Sequence, residues 1–218
     1  MDGKNERLEF LVQCGVIAII RADSSTQLVS AVGAIKKGGV KVIEVTMTTP
    51  SALEIVREVS GNFKDEVLIG VGSVLDSETA RAAILSGAEF IVSPALNVEL
   101  IKMCARYSKI VIPGALTPTE VITAWESGAD LVKIFPVGSV GGPKYIKALK
   151  APLPQVALVP TGGVSLENAG EFIRAGASAI AVGSNLVSNK IITEKKFGIL
   201  TEIAQQFINT VKEAREQI

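Results

Sequence analysis

An α/β fold, and within that class a (β/α)8 TIM barrel with an extra N-terminal helix, follows from three features of the sequence. Short apolar strand candidates recur about every 20–27 residues, with amphipathic helical segments between them. There are eight such candidates, the number that closes a parallel barrel. Three of the intervening helices end on the same phrase, Gly-Ala-x, running straight into a strand: Gly87-Ala88-Glu89, Gly128-Ala129-Asp130 and Gly176-Ala177-Ser178. The 218 residues suit one barrel domain over residues 1–218, since such barrels run to ~200–250 residues. No Pro/Ser-rich linker or low-complexity segment divides them.

The strand candidates are residues 16–20, 42–46, 68–71, 90–93, 110–113, 131–135, 157–160 and 179–182. Nearly all their positions are apolar, as in parallel strands covered on both faces. Residues 4–13 read as the extra helix before the first strand, and 195–213 as the closing one. Thr117-Pro118-Thr119-Glu120 is a capping box with proline in the first turn. Thr49-Pro50 is a similar helix start. Helices stop at Gly38-Gly39, Gly87, Gly128 and Gly176, where glycine accepts the left-handed cap. An open doubly wound sheet would leave several of the eight strands without a place.

Composition narrows the chemistry. Lys+Arg and Asp+Glu both number 22, so a neutral chain offers no electrostatic reason to bind nucleic acid or an anionic membrane. The mean hydropathy of +0.40 reflects scattered short strands, because no apolar run approaches the ~18 residues of a spanning helix. The start, Met1-Asp2-Gly3-Lys4-Asn5-Glu6-Arg7, is polar and of mixed charge, without signal-peptide character. Cys14 and Cys104 form neither a CxxC pair nor a metal-ligand pattern, which fits reduced thiols and a cytoplasmic protein. The chain has no histidine, so Ser-His-Asp and Cys-His mechanisms are excluded, as is a His-ligated metal. Acid–base chemistry falls to Glu, Asp, Lys, Tyr or water, and no cofactor is expected.

Polar residues inside buried strands need a reason. In Leu131-Val132-Lys133-Ile134-Phe135, period-2 alternation turns Val132 and Ile134 toward the helices, and Leu131, Lys133 and Phe135 toward the barrel axis. An ammonium among apolar neighbours is poorly solvated, which lowers its pKa and exposes the amine lone pair that a Schiff base requires. The competing reading is a lysine that snorkels to the mouth or pairs with a structural acid. In Val42-Ile43-Glu44-Val45-Thr46 the same alternation turns Glu44 inward, as an acid–base group, as the ion-pair partner of Lys133, or as both. Arg21, ending the first strand at the C-terminal mouth, is placed to grip a carboxylate or phosphate. Thr161-Gly162-Gly163-Val164 and Gly183-Ser184-Asn185 follow strands seven and eight, the usual phosphate-binding place in such barrels. Ser73, in Gly70-Val71-Gly72-Ser73-Val74, offers a hydroxyl to a carboxylate, and Pro94 either walls the site or simply ends strand four.

At these residues the sequence resembles the class I 2-keto-3-deoxy-6-phosphogluconate (KDPG) / 4-hydroxy-2-oxoglutarate (KHG) aldolases. The matching motifs are Gly39-Val40-Lys41-Val42-Ile43-Glu44-Val45-Thr46, Gly70-Val71-Gly72-Ser73-Val74-Leu75, Phe90-Ile91-Val92-Ser93-Pro94, Val132-Lys133-Ile134-Phe135-Pro136, Pro160-Thr161-Gly162-Gly163-Val164 and Val182-Gly183-Ser184. The resemblance implies an imine between Lys133 and pyruvate, Glu44 as general acid/base, a homotrimer and no metal. Well-known members carry an arginine for the pyruvate carboxylate two residues after the threonine that ends strand two; here Thr48 stands there. A branch of the family carries an arginine at the end of strand one instead, and Arg21 resembles that branch.

The expected reaction is reversible cleavage of a small 2-keto-4-hydroxy acid. Arg21 and Ser73 hold its carboxylate, Phe135 packs over the pyruvyl methyl, and Thr161, Gly162, Gly163, Gly183 and Ser184 take a distal phosphate. The alternatives are a phosphate-binding barrel isomerase or epimerase with Glu44 as base, and a ligand-binding barrel that has lost catalysis.

Overall fold

The computed structural model describes residues 3–21 and 27–218; Met1 and Asp2 of the polar start lie outside them. The strands are β1 (Val16–Ile20), β2 (Val42–Thr46), β3 (Leu68–Gly72), β4 (Phe90–Val92), β5 (Ile110–Ile112), β6 (Gly114–Ala115), β7 (Val132–Ile134), β8 (Leu158–Pro160) and β9 (Ile180–Val182). Every pairing between them is parallel. They form a six-stranded sheet in the order β5-β4-β3-β2-β1-β9 and a three-stranded sheet in the order β6-β7-β8.

The expected fifth strand, residues 110–113, is corrected here. It stops at Ile112 and resumes at Gly114, and the two halves pair in different sheets. Pro113 between them has no N–H to donate to a ladder. Its carbonyl still accepts from Lys133 N at 2.9 Å, so the chain itself carries one sheet into the other. On the far side, the bridge Thr161↔Ala181 joins the end of β8 to β9. The result is a mixed α/β fold with parallel strands in a curled sheet.

The helices are α1 (Lys4–Cys14), α2 (Leu28–Lys37), α3 (Ala52–Phe63), α4 (Ser77–Leu85), α5 (Val98–Arg106), α6 (Pro118–Glu126), α7 (Pro143–Lys150), α8 (Leu166–Arg174), α9 (Asn189–Thr193) and α10 (Phe197–Arg215). The capping box of α6 forms as expected: Glu120 N donates to Thr117 Oγ1, and the Glu120 carboxylate accepts from Thr117 N at 2.7 Å. The start read at Thr49-Pro50 does not cap. Helix α3 begins at Ala52 after Ser51, and the Thr49 hydroxyl instead shares a hydrogen bond with the buried Thr46 hydroxyl. The left-handed glycines Gly39, Gly87, Gly128 and Gly176 lie just past the ends of α2, α4, α6 and α8.

Strand alternation divides the interior into two apolar clusters. Ile43, Val45, Val132 and Ile134 face outward and pack with helix residues such as Val56, Val59 and Phe172. Ile17, Ile19, Val42, Leu68, Phe90 and Leu131 face inward and pack with Leu11 of α1. The inner cluster therefore rests on α1 at the N-terminal end of the strands. Arg215 of α10 secures that end, donating to the carbonyls of Val12 and Gln13 in the last turn of α1 and to Ser178 O. A cation there meets the negative end of the helix dipole.

Two glycines of β3 carve space on the inner face. A Cβ at Gly70 would stand 2.4 Å from the Phe90 ring, and one at Gly72 would stand 1.7 Å from Glu44 Oε1. Both positions need glycine for room, since a real Cβ contact in a packed interior is nearer ~3.5–4 Å.

Candidate active site

Lys133 sits at the centre of β7 on the inner face and is 6% exposed. Its backbone pairs with Gly114 on one side and Val159 on the other. Its Nζ lies 4.9 Å from the centroid of the Phe135 ring. Burial holds the amine below the ordinary lysine range, opposed by the attraction of Glu44 and reinforced by the repulsion of Arg21.

Glu44 sits at the centre of β2 and is 1% exposed, with Oε2 lacking any hydrogen-bond partner among the described residues. Burial pushes its carboxyl above the ordinary range, against the pull of Lys133 and Arg21. Both shifts run toward the uncharged forms. A neutral amine can attack a carbonyl, and a neutral carboxyl can deliver a proton to the oxygen that leaves.

A cavity of about 490 Å³ opens beside this pair, with Ile19, Phe135 and Ala181 among its apolar lining. It gathers the expected Arg21, Phe135, Thr161, Gly162, Gly163, Gly183 and Ser184. Phe135 is the joint between the two regions. Its ring lies against Lys133 Nζ and packs so closely on Gly162 that a Cβ there would stand 3.2 Å from it. Phe135 itself lies just past the end of β7, which stops at Ile134 rather than at the expected residue 135.

The turn after β8 is held from behind. Thr161 O accepts from Val137 N at 3.0 Å and Gly162 O from Gly138 N at 2.9 Å. Gly163 O accepts from Asn168 Nδ2 at 2.9 Å and Val164 O from Asn185 Nδ2 at 2.7 Å. In a trans peptide the C=O and the following N–H point in opposite directions. Fixing those carbonyls therefore fixes the direction of the N–H groups of Gly162, Gly163 and Val164, all residues that line the cavity. Gly162 and Gly163 have φ of 84° and 86°, a left-handed backbone that glycine adopts freely. The turn after β9 folds on Gly183 O, which accepts from Leu186 N and Val187 N.

Four expected residues stand outside that cavity lining. Lys133 and Glu44 lie in the inner layer next to it. Pro94 is half-buried, and its carbonyl would stand 2.3 Å from a Cβ on Gly114, the residue paired with Lys133. Ser73 is half-buried just past β3, with φ of 58°. Thr48 is exposed and hydrogen-bonded to the Thr46 hydroxyl at 2.9 Å. Sequence reasoning missed the roles of Gly72, Asn168 and Asn185. The signal for Gly72 was its alternation with Gly70 on the face that holds Glu44; for the asparagines there was none beyond their place beside glycine turns.

A buried lysine amine and a buried carboxyl lie on the inner face of a parallel α/β sheet, next to a glycine-lined cavity, and enzymes that work on a carbonyl through an amine use such a pair. The family model for KDPG and KHG aldolases matches residues 8–203, and the chain belongs to that family. It is 34% identical over 212 residues to 2-dehydro-3-deoxy-6-phosphogalactonate aldolase of Escherichia coli K12, covering 97% of this chain and 100% of that protein. A KDPG aldolase structure from Legionella pneumophila, with pyruvate captured as a covalent carbinolamine intermediate, matches with a TM-score of 0.83 and 28% identity over 89% of this chain and 95% of that one. A cube-shaped protein cage designed by fusing symmetric oligomeric domains matches with a TM-score of 0.86 and 33% identity over 93% of this chain and 74% of that one.

Proposed function

We propose that this aldolase reversibly cleaves KDPG, KHG or both, giving pyruvate with glyceraldehyde 3-phosphate or glyoxylate, and that Lys133 carries the imine. The observation that carries this reading is the buried Lys133–Glu44 pair, each pushed toward its neutral form. The Lys133 amine adds to the C2 carbonyl. Glu44 protonates the carbinolamine oxygen, which leaves as water. The iminium then accepts the electrons of the C3–C4 bond as Glu44, directly or through water, takes the C4 hydroxyl proton. The aldehyde departs, the enamine regains a proton at C3, and hydrolysis frees pyruvate and the amine.

Arg21 and Ser73 hold the carboxylate, Phe135 covers the pyruvyl methyl, and Pro94 closes the wall beside Gly114. The turns at Thr161, Gly162, Gly163 and at Gly183, Ser184 take a distal phosphate. Arg21 has a double reach in this arrangement. It lines the cavity of those turns and its charge is felt by both Lys133 and Glu44, so it neutralises anionic substrate at either end.

The nine strand segments among the described residues act as eight strands of a (β/α)8 barrel, β5 and β6 counting as one, with α1 as the extra helix and residues 1–218 as one domain. Chain continuity at Pro113 and the Thr161↔Ala181 bridge support that closure. The family resemblance and the likeness to a cage of symmetric oligomeric domains support a homotrimer. The free thiols of Cys14 and Cys104 support a cytoplasmic setting. Among the described residues, no helix is long and apolar enough to cross a membrane.

Borohydride reduction in the presence of pyruvate tests the central step. The expected result is one pyruvate-derived adduct, mapped by peptide mass to Lys133 and absent from Lys133→Met. No adduct, together with retained turnover of a sugar phosphate, would transfer the site to an isomerase with Glu44 as base.

A further inference from the structure

The anion cavity is built from turns on different strands, and one side chain spans them. Asn185 follows Gly183 and Ser184 after β9, and its Nδ2 donates to Val164 O, in the turn after β8, at 2.7 Å. The two segments meet through the bridge Thr161↔Ala181, which joins the first residue of the turn after β8 to β9. The other ties on the first turn's carbonyls come from Val137 and Gly138, after β7, and from Asn168 of α8. Beyond that bridge, the Asn185 amide ties the far end of the Gly162-Gly163 turn to the Gly183-Ser184 turn across the cavity they both line.

From this geometry we infer that Asn185 is a positioning residue that sets the enzyme's preference for phosphorylated over unphosphorylated substrates. The inference rests on the reading of these turns as a phosphate cradle. A phosphate held from two turns needs donors on both at one spacing, because hydrogen bonds weaken steeply away from their preferred distance and angle. A substrate that ends in a carboxylate carried on Lys133, without a distal phosphate, makes no such demand. Preorganising the cradle lowers the cost of binding the phosphorylated substrate alone. The Asn185 side chain is exposed, and replacing it disturbs no core packing.

The test compares the wild type with Asn185→Ala on two substrates, KDPG and KHG, and measures competitive inhibition of KHG cleavage by inorganic phosphate. The expected result is a fall of about 2- to 10-fold in the ratio of kcat/KM for KDPG over KHG, the reach of one net hydrogen bond. The fall sits in KM rather than kcat, with a matching rise in the inhibition constant of phosphate. Equal losses on both substrates would make Asn185 a merely structural residue and overturn the inference. So would an unchanged ratio with wild-type sensitivity to phosphate, which leaves the cradle itself standing. A wild type that phosphate does not inhibit, and that shows no preference for KDPG, overturns the cradle and the inference together.

Discussion

Replacing Gly72 by alanine adds one methyl group and should remove most of the activity. The new Cβ would stand 1.7 Å from Glu44 Oε1, 2.4 Å from Cδ and 2.8 Å from Cγ. Ordinary contact distances are ~3.5–4 Å, so the carboxyl must retreat by about 2 Å. It has little room, since Glu44 is 1% exposed and its strand neighbours Ile43 and Val45 are fully buried. A misplacement of ~1 Å in a reacting group can cost about 10²-fold, and loss of a general acid–base group ~10²- to 10⁴-fold. The expected fall in kcat is therefore about 10²- to 10⁴-fold, or ~2.7–5.5 kcal/mol in the barrier. The assay couples pyruvate release to its reduction, with thermal unfolding followed by circular dichroism to verify the fold. Lys133 keeps its place, so prolonged borohydride trapping with pyruvate should still reach a full adduct. Because both changes act on one carboxyl, Gly72→Ala should cost little more on top of Glu44→Gln than alone does Glu44→Gln. A folded Gly72→Ala enzyme within about threefold of wild-type kcat would refute the argument, as would full additivity of the two substitutions.

Further expectations concern charge, the cradle and the thiols. The rate of borohydride trapping rises with the neutral fraction of Lys133, so its pH limb reports that amine. Glu44→Gln removes the charge that opposes the burial shift and should move the limb to lower pH, whereas Arg21→Gln removes a repelling cation and should move it to higher pH. A limb that moves against its stated direction in either variant, or that moves the same way in both, would contradict the electrostatic coupling. Gly163→Ala forces a methyl into a φ of 86° with Gly138 Cα only 3.2 Å away, and should raise KM for KDPG by about tenfold, the equivalent of ~1.4 kcal/mol of strain; initial-rate kinetics will show it. Burial pushes the Cys104 thiol up to about 12. At pH 8 its thiolate fraction is then on the order of 10⁻⁴, so iodoacetamide should label Cys104 only after unfolding, read by peptide mass.

Much of the scaffold was legible because the signals are local. Apolar runs at strand length place each strand within a residue or two, and period-2 alternation assigns the faces. It was enough to turn Lys133 and Glu44 inward and Val132, Ile134, Ile43 and Val45 outward, as the two apolar clusters show. Glycines past helix ends and the Thr117 capping box depend on a few adjacent residues, so they too could be read directly. Thr49-Pro50 misled because the Thr49 hydroxyl had a competing hydrogen-bond partner in the Thr46 hydroxyl, visible only once the turn is built.

By itself, then, the sequence determined the parallel α/β plan, the misplaced charges at Lys133 and Glu44, and the glycine turns after β8 and β9. The tertiary structure decided how those pieces meet. Only it shows the chain passing between sheets at Pro113, the slot that Gly72 leaves for the Glu44 carboxyl of the neighbouring strand, and Arg21 placed in the glycine-lined cavity. Only it closes the Asn185 amide on Val164, a contact spanning 21 residues. The division has one physical cause. Backbone periodicity and capping act over a few residues, whereas steric room and long-range hydrogen bonds depend on which distant strands the curled sheet brings side by side.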